Sequence, residues 1–367
     1  MAYGSASIDT FNTSTGQTFS PASGSATMKN RIINGAMVID QRNAGASVTQ
    51  GTSSVYDVDR WYGIGGITSK FTMQQSSTVP AGFTNSLKVT SSSAFTVGSG
   101  DAYILAQAIE GYNIADLNWG TANAKTVTLS FWVQSSLTGT FGGALINNTW
   151  LAATRSYPFS YTISSANTWT QINITITGDT AGTWTTTNGV GMNVVFGLGV
   201  GSSYSNTAGA WASGDYISST GAVSVVGTSG ATFYITGVQL EQGSVASAFD
   251  YRHYGVELAL CQRYAYVWST SAIAVAIGSG FQYNTGSAFY AVTFPVTMRS
   301  APTLNSVTAS NWNNIYQGGQ QTTTSVLIDA SGPSSATLVV SQSSSVGYSN
   351  ILWSGTTSAN MQFVAEL

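Results

Sequence analysis

"KTVTLSFWVQSS", residues 125–136, decides the fold. Val127, Leu129, Phe131 and Val133 alternate with Thr128, Ser130, Trp132 and Gln134. A period of two in β-branched and aromatic residues marks a strand with one face on a core. In "TWTQINITITG" (168–178), Ile172, Ile174 and Ile176 alternate with Gln171, Asn173 and Thr175 in the same way. Like runs stand at "SLKVTSSS" (86–93), "AYILAQAIEG" (102–111), "TFGGALINN" (140–148), "SYPFSYTISS" (156–165), "GMNVVFGLGVG" (191–201) and "ATFYITGVQLEQG" (231–243). Gly/Asn/Ser/Asp-rich turns separate them. That many half-polar strands predict an all-β protein built on two packed antiparallel sheets, a jelly-roll β-sandwich.

Working outward, the β pattern is expected to begin at "NRIINGAMVIDQRNAG" (30–45). Residues 1–27 are Ser/Thr/Gly-rich with little periodicity and read as an N-terminal arm or linker. Two stretches break the pattern. "NIADLNWG" (113–120) reads as one helical turn, and "VELALCQRYAYV" (256–267) as a brief helix leading into a strand. Beyond it come "SAFYAVTFPVTM" (287–298), "TTTSVLIDAS" (322–331), "ATLVVSQS" (336–343) and "MQFVAEL" (361–367), which predict a second, smaller β-sandwich-like domain. The expected division is 1–27 arm, 28–254 jelly roll and 255–367 C-terminal β domain.

Composition narrows the function. Of 367 residues 43% are hydrophobic, enough for a large core, while only 7% are charged, against about a quarter in ordinary soluble domains. Such a chain suits subunits packed against their own copies, where buried charge is costly. The net charge of −3 and eleven scattered basic residues offer no cationic stripe for a phosphate backbone, so nucleic acid is excluded as a partner. One cysteine closes no intrachain disulfide. "MAYGSASIDTFNTSTG" (1–16) lacks the basic and apolar regions of a secretory signal. No apolar run nears the roughly 20 residues that cross a bilayer, so no membrane insertion is expected.

Catalytic candidates are sparse. His253, the only histidine, has Asp250 nearby but no nucleophile-elbow motif and no metal-spaced partner, and reads as a linker residue beside Tyr251 and Tyr254. Cys261 lies in an apolar run, where a free cysteine is a small buried hydrophobe. Asp57 and Asp59 in "YDVDRW" share a face if that segment is a strand, and Glu110 and Asp116 flank a loop. Glycosidases need two facing carboxylates, and with fourteen acids near pairs arise by chance. Asp57 and Asp59 are also the candidates for a structural calcium ion, although no Asp-rich calcium loop accompanies them.

The aromatic inventory says more: ten Trp and eighteen Tyr. Sugars present apolar C–H faces and hydroxyl rims that suit aromatic platforms beside amide and hydroxyl groups. Trp119, Trp150, Trp184, Tyr204, Trp211 and Tyr216 lie in or beside Gly/Asn/Ser-rich segments and are the glycan-binding candidates. Trp132 and Trp169 read as core or sheet-face residues, and loop aromatics can equally cap sheet edges or subunit contacts.

"FYITGVQLEQGSVASAFDYRHYGVELALCQRYAYV" (233–267) resembles the module junction of tailed-bacteriophage and prophage tail-fibre or tail-associated proteins. There a carbohydrate-binding-module-like jelly roll ends in a strand and loop, and an E-L-x-L-C-Q-R-Y-Y element opens the distal domain. "NRIINGAMVIDQRN", "DRWYG", "IEGYNIADLNWGTANAKTVTLSFWVQSSLTGTFGGAL", "RSYPFSYTISSANTW" and "GVGSSYSNTAGAWASGDYISSTGA" follow the same family order, so the likeness covers about residues 28–267. Ala265 departs from it, standing where the family tends to repeat an aromatic after Tyr264.

The resemblance implies a virion protein, commonly a homotrimer, joined to other virion proteins through its N-terminal arm and able to bind host-surface glycan. Tail fibre, short spike and capsid-attached decoration are all open as its location. It assigns no catalytic residues. The leading expectation is a non-catalytic adhesin; the alternatives are a purely structural decoration or fibre protein and a polysaccharide depolymerase. In this reading 233–267 is a hinge, with Ile235, Val238 and Leu240 closing the sandwich and Cys261 packed where the next domain begins.

Overall fold

The computed structural model describes residues 28–316, 319–342 and 346–367, together with the backbone pairing of Phe11–Asn12 with Thr18–Phe19. The rest of the expected arm lies outside the described residues.

Two antiparallel sheets form the first unit. One has six strands in the order Thr170–Ile176, Val127–Ser135, Thr232–Gln242, Ser86–Ser91, Phe71–Ser76 and Val48–Thr49. The other has seven: Ala212–Ser213, Arg155–Ile163, Gly139–Ile146, Val190–Val200, Ala102–Glu110, Tyr62–Gly65 and Val55–Tyr56. The architecture is a jelly-roll β-sandwich. Its register follows the alternation: Ile172 lies opposite Phe131 and Ile174 opposite Leu129, while Leu240 faces Leu129 from the other side. Between the sheets the Phe131 ring lies 5.1 Å from both Tyr161 and Phe196, edge-to-face contacts that add to the burial of apolar area. The 232–242 strand is the last of the sandwich in sequence but lies in the middle of its sheet, and it buries Ile235, Val238 and Leu240 completely.

One expected β segment is not one. Residues 30–45 form turns. Asn34 and Met37 adopt left-handed backbone (φ 58° at each), and the Asn34 amide bridges Ile39 and the Asp59 carbonyl at 2.8–3.0 Å. Ile32, Met37 and Ile39 are therefore buried one by one along a folded loop rather than on one face of a strand. The "NIADLNWG" turn is present as the 3-10 turns Gly111–Asn113 and Ala115–Leu117.

The brief helix is Tyr254–Gln262. Glu257 and Cys261, one turn apart, face the same way. Cys261 is fully buried in a cluster with Ile33, Ile39 and Tyr264, while Glu257 accepts from the Asn34 backbone N–H and from Arg252. His253 is exposed and precedes the helix without capping it through its side chain.

The second unit is a smaller sandwich. A three-stranded sheet (Ala265–Ser269, Asn360–Val364, Thr303–Val307) covers one face of a seven-stranded sheet. That sheet runs Gly319–Thr322, Trp312–Tyr316, Ser349–Ser354, Ala276–Asn284, Ser287–Thr293, Ser335–Ser341 and Ser325–Ser331. Tyr290, Leu338, Val340, Leu352, Met361 and Phe363 fill the space between. Ion pairs join this unit to the first. Arg263 donates to both Glu110 oxygens (2.6 and 2.9 Å), Tyr264 donates to the same carboxylate at 2.6 Å, and Arg42 and Arg60 both pair with Glu366.

Candidate functional site

Three loops meet at one end of the first sandwich and line an open cleft of about 550 Å³, within the usual range for small-ligand sites. The loop before the 102–110 strand supplies Phe95, Thr96, Val97, Gly98 and Ser99; the end of the 190–200 strand supplies Val200, Gly201 and Ser202; the loop before the 232–242 strand supplies Ala222, Ser224 and Gly227. Backbone bonds fix the loops together: Phe95 N–H donates to Val226 C=O, Gly201 N–H to Asp101 C=O and Ser203 N–H to Ser99 C=O, at 2.8–2.9 Å. Gly201 is required by close approach. A Cβ there would lie 2.1 Å from the Gly98 carbonyl oxygen and 2.4 Å from that of Ser99.

The chemistry of the lining is hydroxyl and carbonyl with one aromatic ring, and no lining residue is charged. Phe95 is steadied by Tyr103, with centroids 5.4 Å apart, and by the Lys70 ammonium 4.9 Å from its ring. Asp101 is occupied beneath the loop, accepting from Gly98 N–H at 2.7 Å. The Ser224 hydroxyl is buried beside Gly199 without a hydrogen-bond partner, while Ser99 and Ser202 are exposed at the cleft.

The six aromatic candidates fall into two other groups. Trp119, Trp184 and Trp211 pack edge to face at 4.7–5.5 Å from one another, with Tyr157 5.3 Å from Trp211. Their indole N–H groups donate to the carbonyls of Lys125, Ala181 and Thr177 respectively. Trp119 and Trp184 are only 6% and 7% exposed. Trp119 and Trp184 are thereby packed into the edge of the core, while Trp211 is half-buried beside them.

Trp150 and Tyr204 form a second group, edge to face at 5.5 Å and both half-buried. Asp215 is tied to the same corner by a 2.5 Å bond from Leu151 N–H, and Tyr216 follows it with its N–H directed to the Ser156 hydroxyl. The Trp150 indole N–H and one Asp215 oxygen are buried without partners. Burial pushes the Asp215 carboxyl up to about 6, against the Leu151 N–H, which favours its charge. The 3-10 turn Ser202–Tyr204 belongs to both places: Ser202 lines the cleft and Tyr204 packs on Trp150.

Sequence reasoning missed the cleft because its residues are those of ordinary loops. The signal available was small residues in the three segments that flank long strands.

Asp57 and Asp59 lie in the turn between Val55–Tyr56 and Tyr62–Gly65, so the strand geometry expected for them does not hold. Asp59 is engaged by Arg42 and Gln41, and burial still raises it to about 6. The Asp57 carboxylate is buried with neither oxygen hydrogen-bonded, and burial followed by repulsion from Asp40 raises it to about 8. Among the described residues no group of three or more His, Cys, Asp or Glu side chains is placed to hold a metal. Glu110 and Asp116 are ion-pair members. Burial would raise Glu110, but Arg263 and Tyr264 hold it below its usual value; Arg31 does the same for Asp116 through bonds of 2.5 and 2.7 Å.

No protein-family model matches the chain, and no curated protein does. Solved structures with similar folds include a family 11 carbohydrate-binding module from Clostridium thermocellum (11% identity, 56% of this chain and 100% of that one, TM-score 0.28). The xylan-binding domain CBM22-1 from Paenibacillus barcinonensis is similar over 56% of this chain and 99% of its own (9% identity, TM-score 0.28). The enzymatically active domain of bacteriophage CBA120 tailspike protein 4 is similar over 58% of this chain and 21% of its own (13% identity, TM-score 0.30). At these identities and scores the likenesses bear on neither ligand nor activity.

Proposed function

We propose that this chain is a non-catalytic glycan-binding protein of a bacteriophage particle, carried as a tail fibre, spike or capsid-attached protein, and that the end cleft takes a neutral sugar. The observation that carries the reading is the cleft itself. It has an uncharged lining with one aromatic ring and the exposed hydroxyls of Ser99 and Ser202. A sugar would exchange hydrogen bonds with the Ser99 and Ser202 hydroxyls, with Phe95 on the apolar side of the cleft. Single sites of this kind are weak, and display on a homotrimer raises avidity without new contacts. The phage setting rests on the ordered motif series of residues 28–267. No carboxylate lines the cleft, which favours binding there over glycoside cleavage, a reaction that needs a carboxyl pair.

A second reading, a purely structural particle protein, is favoured by the nearly uncharged C-terminal sandwich. A glycan array and host-cell binding assay on the purified chain separates the two. Saturable binding to a neutral glycan supports the adhesin. A folded protein that binds none supports the structural role.

A further inference from the structure

The uncovered face of the C-terminal seven-stranded sheet is apolar. Phe281, Phe289, Val339 and Leu327 lie opposite one another across four adjacent strands, Ala276–Asn284, Ser287–Thr293, Ser335–Ser341 and Ser325–Ser331. Tyr283 packs edge-on against Phe289 at 5.3 Å, and Ile351 lies one strand further out, opposite Ser279. Phe281, Tyr283, Leu327 and Ile351 are 54%, 62%, 59% and 43% exposed. An antiparallel sheet with one face on a core ordinarily turns polar residues to water on the other. The opposite face here already fills the core with Tyr290, Leu338 and Val340, so the apolar residues on this side lack a covering layer.

We propose that this face is the surface on which a second copy of the chain docks. Two features commit it to that occupant. The first is charge: Asp329, at a bulge near one edge, is the sole charged residue in the seven strands. Such a face meets its own copy without leaving a buried charge unpaired, whereas an acidic or basic partner would find nothing to answer it. The second is size. The six apolar side chains present on the order of 600 Å², and with the flanking Ser and Thr this approaches the roughly 800 Å² that each partner of a stable interface buries. The inference does not depend on the sugar reading.

The test is the mass of the full chain in solution, by sedimentation or light scattering, for the wild type and for Phe281→Lys and Leu327→Lys. The expected wild-type mass is a multiple of 38.2 kDa. Each variant is expected to shift toward the single-chain mass while keeping its circular-dichroism spectrum, because both positions are exposed. A Thr337→Cys variant guards against misfolding of the charged ones. Thr337 lies on the same face, opposite Ala291, and the one native cysteine is buried, so a flexible bis-maleimide long enough to span the face is expected to give a cross-linked dimer on a denaturing gel. A single-chain mass for the wild type overturns the proposal. So does an unchanged multiple in a folded Lys variant, or Thr337→Cys that forms no cross-link.

Discussion

The Arg60 guanidinium donates to the Glu366 carboxylate, joining a turn of the first sandwich to the end of the second across 306 residues of sequence. Arg60 is 1% exposed; its guanidinium also lies 3.6 Å from the Tyr264 ring centroid and donates to the Ala108 carbonyl at 2.6 Å. Arg42 reaches the other Glu366 oxygen at 2.5 Å. Two buried cations thus share one carboxylate, and its removal leaves both without it. Glu366→Gln is expected to lower unfolding free energy by about 3–5 kcal/mol, measured by urea denaturation; a loss below about 1 kcal/mol contradicts the coupling.

Asp57 predicts the pH dependence. Its folded pKa is raised from 3.8 to about 8 by burial, so the folded chain holds a proton that the unfolded chain releases. Stability from this group is full below 3.8 and is lost as pH rises through about 8. Asp57→Asn should therefore raise the melting temperature at pH 9 relative to wild type, by the equivalent of at least about 1.4 kcal/mol, one pKa unit, with little difference at pH 4. Equal effects at both pH values would contradict the assignment.

Cys261 is packed rather than poised. Burial holds its thiol well above the ordinary range, with Asp59 and Glu257 adding in the same direction. The native chain should resist a thiol reagent at pH 8 and react once unfolded. Cys261→Ser should cost about 1–3 kcal/mol by placing a hydroxyl among Ile33, Ile39 and Tyr264, leaving sugar recognition intact in the folded fraction.

Trp119 and Ser99 should behave in opposite ways. Trp119→Ala removes a ring locked against two others and should destabilise by about 3–5 kcal/mol, with affinity unchanged in protein that remains folded. Ser99→Ala, at an exposed hydroxyl of the lining, should leave the melting temperature within about 2 °C and weaken sugar binding. Parallel loss of binding and stability in both would place the site elsewhere.

The strands were legible because a half-buried strand writes its environment as a period of two, as at Val127 to Val133. The helix was legible at Leu258 to Cys261 for the corresponding reason. Residues 30–45 misled because isoleucines buried through turns have the same composition as isoleucines on a strand, and the left-handed backbone at Asn34 and Met37 leaves no mark on periodicity. A Gly/Asn/Ser setting surrounds packed edge tryptophans such as Trp119 and Trp184 as readily as exposed ones, so the setting alone does not tell the two apart. The cleft was silent. Ser99, Ser202 and Ser224 come together only when three loops fold over Gly201, and nothing in their local sequence distinguishes them from other serines.

The most direct test of the sugar-cleft account uses two neighbours in one turn. Ser202 lines the cleft, while Ser203 is exposed beside it without contributing to the lining. Affinity for the best neutral glycan from an array should fall at least about tenfold, or about 1.4 kcal/mol, in Ser202→Trp and stay at the wild-type value in Ser203→Trp. A folded wild type that binds no neutral glycan, or a Ser202→Trp variant that binds as the wild type does, would contradict it.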